Sequence, residues 1–162
     1  MPDVAMSAVA DEAGVSRQTL YNHYPDLESI VIDYARSEIA SAEEIIGGVL
    51  EQAPDALAAL ETFIQGNLAG SRDDDVVVTG AGMSPDGETL VMDMLEPIHQ
   101  QLRQILRRGV EDGSFRSDLD PEKVSEVMFH MIGSGRRLVH MGRDPGTVAE
   151  MMVNLIVRGV EA

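Results

Sequence analysis

His99, His130 and His140 are the side chains of this sequence whose imidazoles could act as metal ligands or general bases. No carboxylate is spaced against any of them as a catalytic or metal-binding pair, and no nucleophile motif lies nearby. Each therefore reads as a core or surface histidine. Asp73-Asp74-Asp75, which precedes Val76-Val77-Val78, could also be taken for a metal site. Nothing near it completes a coordination shell, so it reads as a solvated turn or helix cap. No catalytic residue, metal ligand or cofactor is assigned, and an all-α enzyme working through His99 or His130 has little to support it.

Residues 6–24 hold a different chemistry. Val9, Ala10 and Ala13 mark the inward side of a short helix, Gly14-Val15 a tight turn, and Ser16 the cap of a second helix with Leu20 inward. Val15 is expected to plug the space between the two. This is helix-turn-helix geometry, in which the second helix enters the major groove and its outward residues read DNA.

The elements that must hold this unit are helical throughout. Apolar residues recur at the 3.6-residue period over about 6–13, 16–23, 27–52, 54–70, 86–112, 121–141 and 145–160, predicting an all-α protein. Pro54, Pro85, Pro121 and Pro145 sit where a first helical turn tolerates a missing N–H, and Asp120 and Asp144 precede two of them as caps. Pro97 falls inside the fifth helix and predicts a kink or a break. Residues 73–83 are read as a short helix running into a glycine-rich loop. The division drawn is 1–38, a helix-turn-helix domain, and 39–162, a ligand-binding and dimerisation domain, with the boundary inside a helix.

A chain of 162 residues with 44% hydrophobic residues can bury one sizeable core. Its lack of cysteine leaves stability to packing and suits a reducing compartment. No apolar run reaches the length of a membrane span and no signal peptide opens the chain, which predicts a cytoplasmic protein with no membrane partner. The net charge of −16 opposes nucleic-acid binding, which rests on Lys and Arg neutralising phosphates. The first 36 residues do not escape it, since Arg17 and Arg36 stand against Asp3, Asp11, Glu12, Asp26, Glu28 and Asp33.

Val9-Ala10-Asp11-Glu12-Ala13-Gly14-Val15-Ser16-Arg17-Gln18-Thr19-Leu20-Tyr21-Asn22-His23-Tyr24, followed by Glu28 and a long apolar helix, resembles the tetracycline-repressor (TetR) family. That family has an alanine-rich helix, an Ala-Gly-Val-Ser turn and a Thr-Leu-Tyr-x-His-aromatic recognition helix. The stretch from Gly109 to Pro121 and the closing Leu155-Ile156-Val157-Arg158-Gly159-Val160 are similar to later family segments. The resemblance implies a ligand-responsive repressor that binds operator DNA as a homodimer. It implies base or phosphate contacts from Ser16, Arg17, Gln18, Thr19, Tyr21, Asn22 and His23, while Leu20 and Tyr24 pack. Arg17 and Gln18 suit guanine and adenine edges, Thr19 a thymine methyl, and Tyr21 and His23 phosphate oxygens.

Three departures stand out. The family's usual helix and basic arm ahead of Met1 are not in the sequence, which reads as a start lying further upstream. Ala5 replaces the usual hydroxyl residue, and Leu27 the usual lysine.

The two final helices carry more apolar surface than one core contact needs, which predicts a two-fold four-helix interface through Met128, Ile132, Val139, Met151 and Leu155. Gly133 and Gly135 would allow close helix approach. Helices 54–70 and 86–112 are expected to line a cavity for an unknown small apolar effector, offering Phe63, Asn67, Met92, Leu95, Glu96 and His99. Ten methionines suit an adaptable pocket or plain core filling. The competing reading is a dimeric ligand-binding or interaction protein that has lost DNA binding, which the charge favours.

Overall fold

The computed structural model describes residues 6–69 and 83–162. Among them are eight helices: α1 (Met6–Glu12), α2 (Arg17–His23), α3 (Leu27–Gly47), α4 (Val49–Gln52), α5 (Ala56–Ala69), α6 (Pro85–Asp112), α7 (Pro121–His140) and α8 (Pro145–Val160). The fold is all-α. The expectation for 73–83 lies almost wholly outside the described residues.

Most helix starts are closed by a side chain three residues upstream of a free backbone N–H, the device that satisfies orphan donors at an N-terminus. Ser16 accepts from the Thr19 N–H, Asp26 from Ser29, Asp55 from Ala58, Ser84 from Gly87 and Asp144 from Thr147. Asp120 accepts from both Glu122 and Lys123. Two expectations are corrected. The helix expected over 27–52 is interrupted at Gly48, where a glycine pair withdraws side-chain support from the backbone. Of the kink or break expected at Pro97, the break does not occur: α6 runs through it as one helix, without the bond that the proline nitrogen cannot donate.

The described residues form two compact units, one from residues 6–39 and 83–94 and the other from residues 40–69 and 95–162. Both α3 and α6 supply residues to each. In the first, α1 packs on α2, and Ala10, Leu20, Ala35 and Val91 are buried. Ala13 and Val15 are exposed instead of inward, since the turn carries them past the short α1–α2 contact. The first turn of α3 is bound to the start of α6: the Ser84 hydroxyl donates to Glu28 Oε1 at 2.6 Å and accepts from the Gly87 N–H at 3.1 Å.

In the second unit α5 is the central helix. Ala56, Ala59, Leu60, Phe63, Ile64 and Leu68 are buried at 3- and 4-residue spacing, and α5 packs on both α7 and α8. Gly135 sits where these three helices converge, and a Cβ there would lie 3.0 Å from Leu68 Cδ2 and 3.4 Å from Met152 Cγ. Ile98, Leu102, Ile105 and Leu106 make the core stripe of α6. The segment after α6 turns at Gly113 (φ +81°) and drives Phe115 into the core against Gly109. Arg116 N–H then donates to the Val160 carbonyl, tying that segment to the end of α8.

Candidate functional site

The turn between α1 and α2 needs Gly14 at φ +68°, a conformation that costs L-residues with a side chain. Val15 N–H closes the turn on the Ala10 carbonyl at 3.0 Å. Ser16, extended at φ −71° and ψ 149°, then caps α2, and its hydroxyl also lies 2.8 Å from that of Thr19.

Leu20 is the buried residue of α2, and it orients the rest of the helix. At roughly 100° per residue, Gln18 and Asn22 fall about 20° to either side of the direction opposite Leu20. Arg17 and Tyr21 lie on one flank, Thr19 and His23 on the other. All six are exposed, Tyr21 at 52%, and Arg17 makes no ion pair among the described residues. The Gln18 Nε2 donates to Asn22 Oδ1 at 2.9 Å. Tyr24 instead points to structure: its hydroxyl donates to Asp33 Oδ2 at 2.7 Å, tethering the end of α2 to α3, and that bond holds the phenol above its ordinary pKa. Asp33 is shared with Arg36 at 3.3 Å. The structure thus brings Ser16, Arg17, Gln18, Thr19, Tyr21, Asn22 and His23 together on one exposed helix of seven residues and its cap, in a polar face with little charge.

The residues expected around an effector are not gathered in one place. Phe63 is fully buried in the core, and Asn67 spends its amide on the Phe63 carbonyl of its own helix at 2.8 Å. Met92 is 52% exposed and belongs to the first unit, while Leu95 is half-buried. Glu96 and His99 do meet. Glu96 pairs with Arg103 and accepts from Gln100 at 3.1 Å, and the Arg103 contact holds its carboxyl below the usual range. His99 stacks on Phe129 of α7, ring centres 5.1 Å apart, with Nδ1 3.9 Å from Glu96. Its Nε2 is shut away from solvent with no hydrogen bond among the described residues. Burial, and after it the Arg103 charge, pushes its pKa below the ordinary value. Arg103 reaches Glu122 of α7 at 3.7 Å, and Arg107 pairs with the same carboxylate.

Open space lies elsewhere in this unit. A cleft of about 390 Å³ runs between α5 and α8, lined by Glu61, Gln65, Ala69, Gly146, Ala149, Glu150 and Val153. Sequence reasoning passed over it, and also over Arg103, Glu122 and Phe129. The 4-residue spacing of Glu61, Gln65 and Ala69 marks a helix face, but no local signal says which helix lies opposite.

Of the residues expected at a dimer interface, Met128, Ile132 and Val139 are buried inside the protomer. Met151 and Leu155 are 48% and 60% exposed, and Val127 joins them at 60%. No helix of the described residues is long and apolar enough to cross a membrane.

No family model matches the chain, and no curated protein matches it in sequence. Solved structures do. The transcriptional regulator FadR from Bacillus subtilis, determined in complex with stearoyl-CoA, superposes with a TM-score of 0.82 at 18% identity, covering 98% of this chain and 89% of that one. The TetR-family regulator PfmR from Thermus thermophilus gives 0.80 at 23% identity, covering 98% and 90%. A transcriptional regulator from Saccharomonospora viridis in complex with choline gives 0.78 at 19%, covering 99% and 88%. The fold is that of the TetR-type regulators.

Proposed function

Starting from that fold, we propose that this chain is a ligand-responsive transcription regulator of the TetR type, a cytoplasmic repressor that binds operator DNA as a homodimer and is released by a small molecule. The observation that carries the reading is α2: a capped, glycine-turned second helix with one buried leucine and six exposed hydrogen-bonding residues. Such a helix offers base-edge readers at its centre and phosphate contacts on its flanks. Similar folds solved with stearoyl-CoA and choline support a small-molecule effector. In this chain Glu96 and His99, which meet on α6, are the proposed polar end of the effector site. Since α3 and α6 supply residues to both units, binding in one can bias the other along continuous helix. A 100-fold loss of operator affinity needs about 2.7 kcal/mol of coupling, within the ordinary allosteric range.

The second reading, a dimeric ligand-binding protein without DNA affinity, draws on the net charge of −16. Selection from a pool of randomised DNA duplexes separates the two. The regulator is expected to enrich an inverted repeat with half-sites roughly 34–36 Å apart, or a multiple of that, and Arg17→Ala should weaken binding to it without changing the preferred bases much. Recovery of unselected sequence at every salt concentration would favour the second reading.

A further inference from the structure

We infer that Gln18 reads an adenine in the operator and that Asn22 is its positioning residue. The inference rests on the chain being a DNA-binding regulator and deepens that reading to a base. Among the residues of α2, Gln18 and Asn22 lie most nearly opposite the buried Leu20, so a helix seated on Leu20 presents them first to the groove floor. Arg17, Tyr21, Thr19 and His23 are turned to the two sides, where the phosphate walls of a groove stand.

The bond between the two amides sets what they offer. A glutamine amide has one oxygen acceptor and two N–H donors. Gln18 commits one N–H to Asn22 Oδ1 at 2.9 Å, which restrains the rotation of its amide and leaves Oε1 and a second N–H uncommitted. In the major groove adenine presents an acceptor at N7 beside a donor at N6. Guanine presents two acceptors, the first of which meets the N–H while the second repels Oε1. Cytosine offers only a donor and thymine only an acceptor beside a methyl group. With the N–H trans to Oε1 given to Asn22, the amide keeps its acceptor and its other donor side by side and completes both bonds to adenine alone. Without Asn22 the same amide rotates freely and can turn both N–H groups to guanine, so discrimination falls more than affinity.

A bond between residues four apart also supports a short helix, and that purely structural role would leave base preference unchanged. The test compares the full chain with Asn22→Leu and Gln18→Glu in selection from randomised duplexes, read by sequencing, with circular dichroism on each variant. The expected result is one half-site position where the wild type prefers adenine by on the order of tenfold or more. Asn22→Leu should keep the rest of the motif and lose most of that preference, and Gln18→Glu should move it to cytosine, whose N4 donates to a carboxylate. A clear motif whose every position is indifferent to both substitutions would overturn the inference and leave the regulator reading standing. Absence of any enriched motif removes both.

Discussion

His99 is a half-buried imidazole with an aromatic neighbour, a solvent-shielded nitrogen without a hydrogen bond among the described residues and charges on both helices that flank it. Glu96 and Arg103 face it from α6, and Ser125, Glu126 and Phe129 from α7. Its pKa lies below 6.5 in the fold, so the unfolded chain takes up the proton first as pH drops. The stability due to the neutral ring is complete above about 6.5 and is lost as pH falls from there through the folded value. The carboxylates held low by their partners, such as Glu96 and Asp118, lose their contribution only well below that window. Thermal melts between pH 7.5 and 5 should therefore fall more steeply for the wild type than for His99→Phe, which keeps the stack on Phe129 and has no proton to gain. Parallel curves would show that the ring is hydrated in solution. If an effector supplies the missing hydrogen bond to Nε2, its binding should flatten the wild-type curve as well.

At the level of elements, two helical glycines make opposite demands. Gly109 lies under the Phe115 ring, and a Cβ there would come within 2.1 Å of Cδ2, a distance that a ring wedged in the core cannot relieve. Gly133 has nothing within 4 Å of where its Cβ would be. Gly109→Ala should lose about 1–3 kcal/mol through overpacking, partly offset by helix propensity. Gly133→Ala should gain roughly 0.5–1 kcal/mol, and urea titration of both variants reads the two signs directly. The same contrast explains what could be read from sequence. The turn and cap of α2 were legible because Gly14, Ser16 and Leu20 act within a few residues of one another. The interruption at Gly48 was hidden inside a strongly periodic stretch, and no break follows at Pro97 because a helix anchored by Ile98 and Leu102 in the core survives one lost bond. Periodicity marks Met128, Ile132 and Leu155 alike as apolar-face residues. Which of them meets the protomer's own α5 and which meets solvent depends on tertiary packing, and the gathering of Glu96, His99 and Phe129 depends on it too.

For the whole molecule, the net charge of −16 repels DNA at a distance, so the operator binding we propose must rest on geometry more than on steering, and two half-sites engaged together matter more than either alone. The proposed dimer through α7 and α8 is what supplies that geometry. Their inner faces are spent on α5, but α7 carries Val127, Met131 and Leu138 on its flank, and α8 carries Met151 and Leu155. Gly135 meets Val148 and Met152, so these two helices lie side by side. In the proposed dimer a two-fold axis past these exposed residues covers them with their own copies, the self-complementary arrangement of an isologous interface. Two substitutions separate this surface from the core behind it. Leu155→Glu, at a position 60% exposed, should give a folded monomer: light scattering at micromolar concentration reads half the wild-type mass while helical circular dichroism is unchanged. Ile132→Glu, only 4% exposed, should bury an unpaired charge and unfold the protomer, with loss of the helical signal at room temperature. A Leu155→Glu protein that remains dimeric would place the interface on another face. With the monomer in hand, operator affinity should collapse to that of one half-site even though every residue of α2 is intact.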